Sequence, residues 1–346
     1  MGEESCGQKS MANPLVTIII TTHNVVEFLP GCLRSVFSQR LTDFEVVFVD
    51  NASTDGSSDL VEAHYPEVRV LRSEVNLGYG GGNNFGARVA RGDFLVFLNH
   101  DTHVTRDFLG ELVSVMERDP SVGIAQSKIL MAADPEIIET VGTYLTRTGM
   151  WVHPGRGEPD DGIVQPPARI LGACGTCMII RSVLFRKLGG FDPDFIVYYD
   201  DADLSWRARM LGHEVVCVSS SVIYHWGSGT TKHFPSVFTI YHSFKNRLCS
   251  LIKLLGTWDL LTVVPVHLAF CVVGSGAYLL IGKPASALAV LRALAWNLGR
   301  ISTTLRERRR IREGLAGNQQ SNYGDFVKPL PLGYFIRTSF GYVARW

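Results

Sequence analysis

Four short apolar runs open the chain, at residues 15–22 (LVTIIITT), 44–50 (FEVVFVD), 68–71 and 94–99 (FLVFLN). Each is β-branched or aromatic and shows no polar alternation, which predicts strands covered on both faces. Helix-like segments fall between them near residues 26–38, 56–64 and 82–90. Strand alternating with helix predicts right-handed crossovers and a largely parallel α/β sheet. Ligands bind such sheets beyond the carboxyl ends of the strands. The polar stretches that close these runs, at 22–24, 50–55 and 99–101, therefore carry the most weight. From Pro120 the pattern is less regular, and residues 155–169 read as a loop rich in Gly, Pro and acids. A second block, 172–225, reads as strand, helix, loop, helix and strand (CMIIR, SVLFRKLGG, FDPDFIVYYDD, ADLSWRARMLG, EVVCVSSSVIYH).

Residues 260–282 carry no charged side chain over 23 positions. As a helix at 1.5 Å per residue they cover about 35 Å, enough for a hydrocarbon core of about 30 Å. Lys283 and Pro284 interrupt the run, and Leu288, Leu291, Leu294, Ala295 and Leu298 then mark one helical face. A basic cluster follows at 306–312 (RERRRIR).

Charge sharpens this division. The chain has 346 residues with 33 basic and 33 acidic groups. From Trp258 onward there are 11 Lys/Arg and 4 Asp/Glu, so the tail is +7 and the preceding 257 residues are −7. An acidic body joined to a basic, apolar tail predicts attraction to an anionic surface. The basic cluster has no nucleic-acid recognition motif beside it, so lipid is the expected partner and nucleic acid is not. A single crossing would put the basic end outside, against the positive-inside tendency. A hairpin turning at Lys283 and Pro284, or an interfacial helix pair, keeps both charge sets cytosolic. Residues 1–13 are expected to be flexible, with no signal-peptide core, and Met11 is a possible alternative start. Seven scattered cysteines argue against a disulfide framework and for a reducing compartment.

The chemistry lies in short motifs. The first strand ends in Thr-Thr-His-Asn, without the glycines of a dinucleotide-binding turn or the Gly-Lys-Ser/Thr of a P-loop. Residues 50–56 (DNASTDG) offer carboxylates and amides to a base or ribose, or else Ser53, Thr54 or Asp55 simply caps the next helix. Residues 76–86 (NLGYGGGNNFG) could cradle phosphates at a helix N-terminus or form a flexible turn. Asp101 is a hard oxygen ligand at the ligand edge, and His225 is either a nitrogen ligand or a hydrogen-bonded core histidine. Asp200, Asp201 and Asp203 precede a helix, near Asp192 and Asp194. Mutual repulsion should raise one of their pKa values and suit it to accept a proton, unless they only compensate a helix end. The lone Cys174-Gly-Thr-Cys177 reads as packing.

In order along the chain, VTIIITTHN, VDNASTDGS, NLGYGGGNNFGA, FLNHDT, GGFDPDFIVYYDDADLSWRARMLG and VIYHWGSG resemble glycosyltransferase family 2, especially its bacterial rhamnosyltransferase-like branch. The likeness covers about residues 14–250 and leaves 251–346 as a C-terminal membrane-associated helical region. It implies a GT-A-type nucleotide-diphospho-sugar transferase fold and an inverting, metal-dependent sugar transfer. The donor, best guessed as dTDP-rhamnose, would lie along Thr22, Asn24, Asp50, Asn51, Asp55, Asn76, Gly78, Asn83 and Asn99. Asp101 and His225 would hold a divalent cation, Mg2+ or Mn2+. Asp201 would be the catalytic base with Asp200 beside it, and Trp206 and Arg207 would shape an acceptor or phosphate pocket. Asn99 stands where many members carry Asp, leaving one anionic ligand instead of two. The implied acceptor is a glycan or polyprenyl-linked glycan of a bacterial surface polysaccharide, met at the cytoplasmic face of the membrane with residues 260–312 against lipid. Two other classes would share some of these features: a nucleotidyltransferase acting on sugar phosphates, and a non-catalytic membrane scaffold.

Overall fold

The computed structural model describes residues 13–162, 165–227, 235–314 and 323–329. Residues 1–12 of the expected flexible start, Met11 among them, and the last residues of the tail lie outside them. The chain begins β1 (Val16–Thr22), α1 (Leu29–Val36), β2 (Phe44–Asn51), α2 (Ser57–His64), β3 (Arg69–Ser73), α3 (Gly78–Ala87) and β4 (Phe94–Asn99). There follow β5 (Thr102–Val104), α4 (Phe108–Arg118), β6 (Val122–Met131), β7 (Asp134–Thr140), β8 (Tyr144–Thr146), β9 (Trp151–Val152) and β10 (Ala168–Arg169). The second block supplies β11 (Cys177–Arg181), α5 (Ser182–Leu188), α6 (Asp200–Met210) and β12 (Glu214–His225). Helices α7 (Ser236–Leu254), α8 (Thr257–Leu280), α9 (Pro284–Gly299) and α10 (Ile301–Glu313) close the chain with the short β13 (Val327–Lys328).

The main sheet runs β10-β12-β6-β11-β4-β1-β2-β3, with β5 on β12 and β7 on β6. Strands β3, β2, β1 and β4 are parallel, and β12 is parallel to β6. Alternate residues of one strand feed two cores: Ile18, Ile20 and Phe48 pack on one face with α1 and α4, and Ile19, Val47 and Val49 on the other. That double burial is why these strands read as unbroken apolar runs.

One strand breaks the parallel rule with a consequence for the site. β11 is antiparallel to both β4 and β6. Its entry loop, residues 174–176, therefore arrives at the edge where β1, β2, β4 and β12 end. Helix α6 also starts at this edge.

Strand β6 occupies the stretch where the sequence pattern loses regularity. Gln126 and Ser127 interrupt its apolar run yet are fully buried, because each has an internal partner: Gln126 accepts from Cys174 N and Ser127 bonds Ser221. The boundary drawn at residue 250 falls inside α7, which continues through it and packs on the loop before α6. The charge-free run forms α8, and the chain reverses at Gly282 (φ +72°) into α9.

Candidate active site

The loops after β1 and β2 are laced together. Asn24 N donates to Ser53 Oγ (3.1 Å), Thr54 N to Asn24 Oδ1 (2.8 Å), Val26 N to Asp55 Oδ2 (2.8 Å) and His23 Nδ1 to the Asn51 carbonyl (2.8 Å). These bonds reassign several expected donor contacts. Asp50 is buried, with Oδ1 accepting from Ser53 N and Oδ2 from the Ser58 hydroxyl, so it braces its loop. Thr22 is buried and donates to the Val49 carbonyl, and Asn83 accepts from Thr21 Oγ1 beneath α3. Asp55 accepts from Ser57 N and Oγ at the start of α2, close to the capping alternative. Burial works to raise the Asp55 pKa, but the Ser57 and Val26 donors hold it below the ordinary carboxylate value.

The glycine-rich stretch is not a flexible turn: it forms α3, whose N-terminus lies at Gly78, the helix start that the phosphate alternative needs. Asn76 accepts from Gly78 N, and Asn51 Nδ2 donates to the Gly78 carbonyl (3.0 Å). A side chain at Gly78, where φ is +72°, would strike the Ile196 carbonyl, and one at Gly86 would enter Ile19 and Val49. The glycines let α3 approach both the sheet and the 191–196 loop.

At the end of β4, Asn99 N donates to the Thr176 carbonyl (2.9 Å). Asp101 and His225 come together as expected from opposite ends of the sequence, with His225 Nε2 3.2 Å from Asp101 Oδ1. Both are buried. The opposite ring nitrogen, Nδ1, donates to Glu139 Oε2 at 2.7 Å. Glu139 was invisible in the sequence, because only the pairing of β7 with β6 brings it here. Burial opposes a charge on His225, yet the bonds to Asp101 and Glu139 outweigh it and raise its pKa to about 10.

The donor set fits a divalent cation in part. A carboxylate oxygen and an imidazole nitrogen about 3 Å apart suit adjacent positions around one ion once Nε2 gives up its proton to it, and a carboxylate behind the histidine is the usual orienting partner. No group of three His, Cys, Asp or Glu among the described residues is arranged to hold an ion alone. Asp101 and His225 could therefore contribute at most two protein ligands to such an ion.

The acid pair sits on the first turn of α6. Asp201 is half-buried; its Oδ2 accepts from Gly175 N (2.6 Å) and its Oδ1 from Ala202 N (2.7 Å). Asp200 is 3% exposed, and its Oδ2 has no hydrogen-bond partner. Burial first, and the Asp201 charge second, push the Asp200 pKa well above its ordinary value. Burial also raises Asp201, against the two N–H donors. The repulsion read from the sequence is therefore the lesser cause.

The entry loop of β11 joins the two acidic stretches: Gly175 N holds Asp201, and Thr176 O holds the strand leading to Asp101. Tyr79 donates to the Gly175 carbonyl (2.6 Å), and a Cβ at Gly175 would lie 2.6 Å from that hydroxyl. Burial pushes the Cys174 thiol up to about 12, with the Asp201 and Glu139 charges adding to the rise. One side chain thus lies within the electrostatic reach of both ends of the site.

Two expectations are corrected. Trp206 is 1% exposed and packs edge-on against Trp151 at 5.8 Å, in the cluster that joins α6 to α7 and α8. Arg207 is buried, pairing with Asp203 (2.7 Å) and donating to the Leu188 and Gly190 carbonyls. Both hold α6 in place and do not line an acceptor pocket. Asp192 and Asp194 likewise turn to Lys253 and Arg300.

Comparison with known proteins agrees with this architecture. The family described as Glycosyl transferase family 2 matches residues 17–189. The chain is 30% identical over 230 residues to the O-antigen biosynthesis protein RfbC of Myxococcus xanthus, covering 63% of this chain but 18% of that protein. It is 25% identical over 254 residues to N-acetylglucosaminyl-diphospho-decaprenol L-rhamnosyltransferase of Mycobacterium tuberculosis strain H37Rv, covering 66% of this chain and 81% of the relative. Among solved structures, the mannosyltransferase PcManGT of Pyrobaculum calidifontis in complex with GDP-Man and Mn2+ superposes with a TM-score of 0.54 at 20% identity, covering 83% of this chain and 88% of that one. That likeness establishes the fold.

Proposed function

The chain belongs to glycosyl transferase family 2, and from that premise we propose that it transfers a sugar from a nucleotide-diphosphate donor to a hydroxyl of a glycan or polyprenyl-linked glycan, with inversion. The observation that carries this reading is the 174–176 bridge, which ties Asp201 to the end of the strand that leads to Asp101. Rhamnose is the preferred sugar, supported by the name of the mycobacterial relative, and dTDP-rhamnose is the donor form expected from the family resemblance.

The donor lies along the laced loops after β1 and β2 and the start of α3. Asp201 accepts the proton of the acceptor hydroxyl as that oxygen attacks the anomeric carbon. The N–H groups of Gly175 and Ala202 fix the direction of its carboxylate. Burial and the neighbouring Asp201 charge disfavour ionisation of Asp200, so it competes less for that proton. One base facing one leaving group gives a single in-line displacement. Asp101 and His225 would hold a divalent cation, which when bound offsets the charge of the departing diphosphate.

The tail supports work beside a membrane. Helix α8 is long and apolar enough to cross one. It turns Leu261, Val272, Val273, Leu279 and Leu280 outward, and α9 exposes Leu288, Leu291 and Leu298. The leucine face of α9 points away from the protein. With Lys283 at the turn and the arginines of α10, the pair reads as a hairpin set in the cytoplasmic leaflet.

A panel of nucleotide sugars assayed for binding and slow hydrolysis, with Mg2+, Mn2+ or EDTA, tests the reading. Ion-dependent turnover of one donor class is expected. Release of pyrophosphate from a nucleoside triphosphate and sugar phosphate would instead identify a nucleotidyltransferase.

A further inference from the structure

Among the described residues, four that are not glycine have positive φ: Asn24 (54°), Ala52 (62°), Tyr198 (66°) and Tyr199 (66°). All lie in loops at the candidate site. The last two are consecutive and bulky, and side chains of that kind leave the left-handed region unless their surroundings hold them there. They immediately precede Asp200 and Asp201, so the path of the backbone through them sets where the acid pair enters α6.

What holds them comes from the C-terminal helices. Asn246 of α7 is fully buried, and its side-chain amide donates to both the Val197 and Tyr198 carbonyls at 2.8 Å each. Those carbonyls belong to the two peptide planes on either side of the Tyr198 Cα. Fixing both planes fixes φ and ψ of Tyr198. The neighbouring residues extend the grip: Lys245 Nζ donates to the Asp194 carbonyl (2.5 Å), and Arg247 Nη1 reaches the Tyr199 hydroxyl (3.4 Å). Helix α9 steadies this part of α7 through Asn297 Nδ2, which donates to the Lys245 carbonyl (3.0 Å).

We propose that Asn246 is a positioning residue for Asp201: it holds the tandem left-handed turn at Tyr198 and Tyr199 and so aims the carboxylate, without touching substrate. This rests on the transferase reading above. It makes the helices beyond residue 235 part of the catalytic apparatus as well as a means of attachment.

The test uses the full chain with Asn246→Ala, Asn246→Ser and the double variant Asn246→Ala/Tyr198→Gly. Transfer kinetics, donor affinity by calorimetry and amide hydrogen exchange over residues 197–203 are measured on each. A misplacement of about 1 Å costs on the order of 10²-fold in rate. The alanine variant should therefore lose about 10- to 100-fold in kcat, with donor affinity within about twofold of the parent and faster exchange at 198–203. Glycine adopts positive φ without steric cost, so the double variant should recover much of the lost kcat. An unchanged kcat, a loss of donor affinity in step with kcat, or no recovery with glycine overturns the proposal. If alanine prevents folding, the serine variant, which keeps one donor, decides by the same measures. If the parent chain turns over no donor, the transferase reading fails separately. Exchange at 198–203 then decides alone: acceleration in the variants upholds the positioning role, and none refutes it.

Discussion

The sheet turns its large apolar side chains inward, whereas the α8–α9 hairpin leaves many of its own on the outside. In β1, β2 and β4 the Ile, Val and Phe residues are inside, and polar groups gather where the strands end. In the hairpin, His267, Ser275, Ser286 and Asn297 are buried while Trp258, Val273, Leu280 and Leu298 face out. Hydropathy reads both regions as apolar. The direction in which the apolar side faces separates a strand that closes a protein core from a helix whose outward apolar side the membrane proposal uses. The comparison assigns chemistry to the sheet edge and placement to the outward face of the hairpin, so a substitution at an exposed hairpin position should leave turnover unchanged and one at the sheet edge should leave vesicle binding unchanged.

The largest effect belongs to Asp201→Asn, which should lower kcat by roughly 10²–10⁴ while vesicle binding stays as in the parent. Because burial raises the Asp201 pKa, the parent's rate should fall as pH drops through that raised value, and the variant should lose this limb. A pH series of initial rates measures both.

Next is Glu139→Gln, which removes the carboxylate behind His225 and should weaken Mn2+ affinity by about 10–100-fold. Calorimetric titration of the ion reads this directly; unchanged affinity would detach Asp101 and His225 from ion binding.

Asp200→Asn addresses stability. The folded pKa of Asp200 is raised above 3.8, so its contribution is complete below pH 3.8 and is lost as pH rises through the folded value. Asparagine cannot ionise, so urea melts from pH 4 to 8 should show a shallower decline than the parent.

The smallest effect concerns the hairpin. Leu280 is 90% exposed. Leu280→Ser should reduce partition onto anionic vesicles about fivefold, or ~1 kcal/mol, since an interfacial leucine gives up part of its full burial energy. Its turnover of a soluble acceptor should match the parent.

Much of this frame was legible because local pattern and burial agree. β4, β11 and β12 span the residues that their apolar runs mark, 94–99, 177–181 and 214–225. Where buried polar residues break the pattern, as in β6, legibility ends, since the partners of Gln126 and Ser127 come from a loop and a strand far along the chain. The meeting of Asp101 with His225 could be anticipated from motif order. Glu139, Gly175 and Asn246 could not: each acquires its role through a contact more than 20 residues distant. Trp206 and Arg207 misled because a charged, aromatic helix start next to an acid pair resembles a pocket wall, whereas their side chains run into the interface with α5 and the C-terminal helices.

The central claim is that the Asp101 and Asp201 ends serve one transfer, the first holding the donor's diphosphate side and the second deprotonating the acceptor. Donor affinity and single-turnover transfer, measured together with Mn2+ on Asp101→Asn and Asp201→Asn, test it most directly. Asp101→Asn should lose donor affinity and transfer alike, while Asp201→Asn should bind donor like the parent and transfer it at least about 10²-fold more slowly. Parent-like transfer by Asp201→Asn, or donor affinity untouched in Asp101→Asn, would contradict the account.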